Sequence, residues 1–151
     1  MKAMKKEGDF MLKALIADDD TEIRNSISVI IRRSSSFQIS ESSTVRDVLR
    51  LCTINKFDLI FLDHHLMDGD GWAITRTISL EPEKYGKPII VAMTGSVSPY
   101  ELDKQRGNFS TFILKPFSAS DIDAVLRQVS ENCSPANFKI NKSRSFQMSL
   151  Q

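Results

Sequence analysis

Residues 12–33 read LKALIADDDTEIRNSISVIIRR, and this stretch decides the fold. Residues 12–17 form a short, mostly apolar, strand-like run, which Asp18, Asp19 and Asp20 end abruptly. Across 21–33, Ile23, Ile27, Ile30 and Ile31 then recur at the spacing of one helical face. A strand, an acidic turn and an amphipathic helix therefore follow one another directly.

The same grammar continues along the chain. Residues 37–40 alternate apolar and polar, as an edge strand of modest burial does. Residues 44–54 place Val45, Val48, Leu49 and Cys52 on one helical face, ahead of the apolar run 58–62. Trp72, Ile74 and Ile78 indicate a third helix, and residues 88–93 a further strand. A weaker helical segment near 99–105 is closed by Gly107 and Asn108. Residues 111–114 supply the last strand, and Ile122, Val125, Leu126 and Val129 the last helix. Five βα units in succession imply an α/β fold: a parallel sheet with right-handed crossovers and helices on both faces. The first, third and fourth runs are the most apolar, which suits the order 2-1-3-4-5 with the second and fifth strands at the edges.

Composition narrows the function. A chain of 151 residues, 41% hydrophobic and 26% charged, suits one globular domain. A net charge of +1 leaves no broad electrostatic footprint, so the core is not expected to bind nucleic acid. No run approaches the ~20 apolar residues of a membrane span, and the basic start (Lys2, Lys5, Lys6) lacks an apolar signal region. A cytoplasmic protein with Cys52 and Cys133 as reduced thiols is the expectation. Residues 1–11 read as a flexible arm and 12–132 as the domain. The stretch 133–151 has no acidic residue, carries Lys139, Lys142 and Arg144, and reads as a disordered tail. Its alternating Phe146, Met148 and Leu150 could add a strand to a partner.

The chemistry lies at the ends of the apolar runs. Asp18 and Asp19 follow the first, Asp63 the third, Thr94 the fourth and Lys115 the fifth. In an open parallel sheet those carboxyl ends share one crevice. A carboxylate there can attack a phosphoryl group, but two anions repel unless positive charge stands between them. The site therefore calls for a divalent metal. Mg2+ takes oxygen ligands and is typically held by one or two carboxylates. Asp18, Asp19 and Asp63 can supply them, with a backbone carbonyl such as that of His65 completing the set. Lys115 offers a compact charge and Thr94 a hydroxyl donor to phosphoryl oxygens. Asp20 with Thr21 suits a helix cap rather than a ligand. His64 and His65 are adjacent, point differently and lack accompanying cysteines, so a zinc site is not expected. Trp72 reads as packing at a helix start.

Taken together these residues resemble the receiver domain of two-component response regulators. The matching pieces are LIADDD, with Asp18 and Asp19; LIFLDHHLMDGDGW, with Asp63; VAMTG, with Thr94; and ILKPF, with Lys115–Pro116. The likeness covers roughly residues 11 to 132, in order and spacing. It implies a flavodoxin-like three-layer sandwich, Asp63 as phosphoacceptor, Asp18 and Asp19 as the acidic metal site, Thr94 and Phe112 as switch residues, and Lys115 as the phosphate-contacting base. The implied partners are a histidine kinase or histidine phosphotransfer protein and an unidentified downstream protein. The output face would be the surface of the fourth predicted helix, the fifth strand and the last helix.

This chain has Leu66–Met67 where the family commonly has Met-Pro, so its loop is expected to lack a proline's rigidity. His65 and Ser96 lie where side chains can screen the acyl phosphate from water. Two rivals differ in kind. A haloacid-dehalogenase-like phosphatase would place its nucleophile at Asp18 and leave Asp63 without that role. A pseudo-receiver would bind partners without regard to phosphate, which the intact set of five residues opposes. The residues after the last helix are too few for an effector domain, so the expectation is action through partners. That fits a single-domain regulator, a relay intermediate or a receiver segment of a hybrid kinase.

Overall fold

The structure, a computed structural model, describes residues 11–34, 36–95 and 109–132. Residues 1–10 of the N-terminal arm, Ser96, the helix expected near 99–105, Cys133 and the C-terminal tail lie outside the described residues. The elements are β1 (Leu12–Ala17), α1 (Thr21–Arg32), β2 (Phe37–Ser42), α2 (Val45–Ile54), β3 (Leu59–Asp63), α3 (Ala73–Leu80), α4 (Pro82–Tyr85), β4 (Ile89–Thr94), β5 (Thr111–Leu114) and α5 (Ala119–Asn132). The five strands pair in parallel in the order β2-β1-β3-β4-β5, as the burial pattern of the runs predicts.

Strand alternation splits the core into two layers. Leu15, Ala17, Ile60, Leu62, Ile90 and Ala92 pack with Val48, Cys52, Ile74, Ile78 and Tyr85 from α2, α3 and α4. Ala14, Ile16, Leu59, Phe61, Val91 and Met93 pack with Ile27, Ile31, Ile122, Leu126 and Val129 from α1 and α5. Successive residues of a strand point to opposite faces, so continuously apolar strands need helices on both sides. The result is the three-layer sandwich. Burial pushes the thiol of Cys52 up to about 11, as an apolar layer does to any group that must ionise. No described helix is long and apolar enough to cross a membrane.

Local chemistry sets the helix starts. The Asp20 carboxylate accepts from the Glu22 N–H at 2.9 Å and caps α1, the role assigned to it from sequence. Thr44 caps α2 by accepting from the Asp47 N–H at 3.0 Å. Ser118 and Asp121 form a reciprocal box at the start of α5, each side chain accepting from the other's N–H.

Two features go beyond the sequence reading. The turn α4 starts with Pro82 at its first position and stops at Gly86, whose φ of +84° suits glycine and strains other residues. A two-residue antiparallel ladder also pairs His65 with Asp70 and Leu66 with Gly69 directly after β3. Both elements are too short for hydrophobic periodicity to register.

Candidate functional site

Strand register brings the candidates together. Asp18 is the residue after β1, and Asp63 and Thr94 close β3 and β4. Lys115 follows β5, and its N–H donates to the Thr94 carbonyl at 2.8 Å. One ligand oxygen from each of Asp18, Asp19 and Asp63 lies within 4.8 Å of the others. The Lys115 ammonium reaches into this group, donating to Asp18 Oδ2 at 2.7 Å and to Asp63 Oδ1 at 3.0 Å. The other oxygen of Asp18 accepts from the Asp20 N–H at 2.8 Å.

Burial differs sharply along the cluster. Asp18 is fully buried, Asp63 is 7% exposed and Asp19 is open to water. Burial raises the pKa of Asp18; the Lys115 and Asp20 hydrogen bonds offset part of this, and the nearby Asp63 charge adds to it. Burial by itself would lower the pKa of Lys115, but hydrogen bonds to Asp18 and Asp63 outweigh it and the net shift is upward. Lys115 is therefore a fixed positive charge at neutral pH. With all three carboxylates ionised, one ammonium leaves two negative charges uncompensated. An all-oxygen, doubly negative group fits a hard dication such as Mg2+.

The loop after Asp63 is built around a close approach. A Cβ on Gly71 would lie 2.1 Å from the Asp63 carbonyl oxygen, so only glycine fits there. The Gly71 N–H donates to the His64 carbonyl at 2.8 Å, and the His64 N–H to the Met93 carbonyl at 3.1 Å. Trp72 is 2% exposed, and its indole N–H donates to the Leu62 carbonyl at 3.4 Å, so it packs at the start of α3 as expected. His64 stacks on Trp72 at 4.0 Å and on His65 at 4.4 Å. Stacking of neighbouring imidazoles was not foreseen, because adjacent residues of a regular strand diverge whereas here the chain is turning. The rings continue through Trp72 to Phe109 and from Phe109, edge-on, to Phe112. Phe112 is 4% exposed, so its ring already lies inside.

Sequence reasoning passed over Arg24 and Asp68. Arg24 donates to the Asp18 carbonyl at 2.6 Å. The Asp68 carboxylate accepts from the Val45 N–H at 2.6 Å and the Arg46 N–H at 3.1 Å, across 23 and 22 residues of sequence. A cation near the start of α1, where the helix dipole opposes it, was the available signal for Arg24. Asp68 gave none, since its partners are distant along the chain.

The family model described as the response regulator receiver domain matches residues 14–127. The transcriptional regulatory protein LytR of Staphylococcus aureus is 30% identical over 119 residues, which covers 78% of this chain and 47% of that protein. The chain thus spans about half the length of the curated relatives it matches. Among solved structures, the Vibrio cholerae chemotaxis protein CheY4 aligns at a TM-score of 0.70 and 21% identity, covering 79% of this chain and 98% of that one. A two-component response regulator from Clostridium difficile aligns at 0.72 and 22% identity, covering 81% and 98%. These structures share the fold, and the family match spans the whole set of strand-end residues from Asp18 to Lys115: the chain belongs to the response regulator receiver domain family.

Proposed function

We propose that Asp63 accepts a phosphoryl group from a histidine kinase or a histidine phosphotransfer protein in a Mg2+-dependent reaction, and that the phosphorylated domain changes its binding to a downstream protein. The observation that carries this reading is the Lys115 ammonium bridging Asp18 and Asp63 inside an all-oxygen acidic cluster. A carboxylate oxygen of Asp63 attacks phosphorus, the P–N bond of the donor phosphohistidine breaks, and its electron pair leaves with the imidazole. The product is an acyl phosphate on Asp63. Lys115, held protonated by its acidic neighbours, offsets part of the charge that gathers as two anions meet. Asp18, Asp19, Asp63 and the His65 backbone carbonyl would hold Mg2+, which supplies the remaining charge compensation when bound.

Thr94 donates its hydroxyl to a phosphoryl oxygen and forms the switch with Phe112. Because the Phe112 ring already lies inside against Phe109, phosphorylation acts by holding this arrangement rather than by creating it. The domain assists only its own phosphorylation and dephosphorylation. A cytoplasmic location goes with this reading, and the buried free thiol of Cys52 suits a reducing compartment. The phosphatase alternative needs Asp18 as nucleophile, and Asp18 is fully buried with its oxygens engaged by Lys115 and the Asp20 N–H.

The test is intact mass after incubation with acetyl phosphate. The parent is expected to gain one phosphoryl group only when Mg2+ is present, and Asp63→Asn to gain none. A folded parent that gains none would point instead to a phosphate-independent interaction module.

A further inference from the structure

The turn between β1 and α1 carries two of the three clustered carboxylates, and a side chain outside the cluster ties it down. Arg24 donates Nη1 to the Asp18 carbonyl at 2.6 Å, Nε to Glu41 Oε1 at 3.1 Å and Nη2 to Thr21 Oγ1 at 3.2 Å. The three acceptors come from the end of β1, from β2 and from the first residue of α1. The arginine side chain is only 16% exposed. On the other side of the same residue, the Asp18 N–H donates to the Ser42 carbonyl at 3.1 Å. Ser42 is the neighbour of Glu41 in β2, so both backbone groups of Asp18 are anchored to one edge strand, the carbonyl through the guanidinium.

The held carbonyl belongs to the peptide joining Asp18 to Asp19. A planar peptide turns as a unit, so fixing its oxygen fixes the plane that joins the two Cα atoms from which the carboxylate side chains leave. The helix dipole disfavours a cation near the start of α1, and three acceptors in the geometry of a planar fork are what offset that cost. We infer that Arg24 is a positioning residue for divalent-cation binding: through Glu41 and Thr21 it sets the Asp18–Asp19 peptide so that both carboxylates are placed before the cation arrives. This inference rests on the reading of Asp18, Asp19 and Asp63 as the Mg2+ site.

The test is calorimetric titration of the full chain with Mg2+ alone. Arg24→Met keeps the apolar stem and removes the fork; its Kd for Mg2+ is expected to rise about 10-fold, the scale seen when a group that orients a metal ligand is lost. Arg24→Lys can reach the carbonyl but cannot hold all three acceptors, so it is expected to fall between Arg24→Met and the parent. Glu41→Ala releases the fork from β2 and is expected to raise the Kd less. Its combination with Arg24→Met is expected to bind no more weakly than Arg24→Met by itself, because both remove one clamp. Melting curves without metal separate this from a general loss of stability, which would leave the Kd unmoved; if Arg24→Met does not fold, Arg24→Lys and Glu41→Ala carry the comparison. A parental Kd in the Arg24 variants, or fully additive effects with Glu41→Ala, would overturn the clamp. A parent without saturable Mg2+ binding would overturn the metal-site reading as well, and the parent titration distinguishes the two.

Discussion

Asp18 is removed from water yet has to be ionised to hold a cation. Burial, with Asp63 adding to it, sets its folded pKa above the ordinary aspartate value of 3.8. In the metal-free protein the stability linked to Asp18 is therefore fully present below 3.8 and lost as pH rises through the higher folded value. A bound dication opposes this, because it favours the ionised form that burial disfavours. On the proposed reading, protons and Mg2+ compete at Asp18. Mg2+ affinity, measured by calorimetry across pH, is expected to start falling above pH 3.8 as the solution is acidified and to approach about tenfold per pH unit below the folded pKa. Asp18→Asn is expected to bind weakly with a flatter profile; parental affinity that stays level down to pH 3.8 would contradict the raised value. Lys115 does not take part in this window, since its pKa lies above 10.5 and its stabilising charge is lost only as pH rises through that higher value.

The loop after β3 shows how one element replaces another's restraint. The loop has Leu66–Met67 and no proline; the two-residue ladder, the bond from the Met67 N–H to the Ser43 carbonyl at 3.0 Å and the Asp68 carboxylate together tie it to the start of α2. Asp68 satisfies two orphan N–H groups of that helix from a distant part of the sequence, as a local N-cap does from within it. The Val45 N–H is the main reason the Asp68 pKa is lowered, with burial opposing and the Arg46 N–H adding to the fall. Its contribution is thus present above 3.8 and lost as pH falls through the lower folded value. Asp68→Ala is expected to lower the melting temperature at neutral pH, with Asp68→Asn recovering part of the loss. Melting curves taken below pH 3.8 are expected to bring parent and alanine variant closer together. Equal melting temperatures at neutral pH would show that the cap does not hold the loop.

At the scale of the molecule, a cation at the proposed site would join the turn after β1 to the end of β3, so binding and folding would be linked. At a Mg2+ concentration 100 times Kd the native state is expected to gain about 2.7 kcal/mol. Thermal unfolding should report a higher melting temperature with Mg2+ in the parent and a much smaller rise in Asp19→Asn. A parent whose melting temperature ignores Mg2+ would remove the metal site from the reading. Much of this was legible in the chain itself. Apolar runs capped by Asp18, Asp63, Thr94 and Lys115, each followed by a helical period, determined the sheet, its order and the end where the polar groups gather, because periodicity and chain connectivity are local properties. The helix cap at Asp20 and the packing role of Trp72 were local too. What tertiary structure alone decided were the contacts between residues far apart in sequence: Arg24 with Glu41, Asp68 with the start of α2, and the ring series from His65 to Phe112. It also decided that Asp18 is buried while its neighbour Asp19 is open. These depend on register and close packing between elements, and a one-dimensional pattern does not carry the distances on which hydrogen bonds and stacking depend.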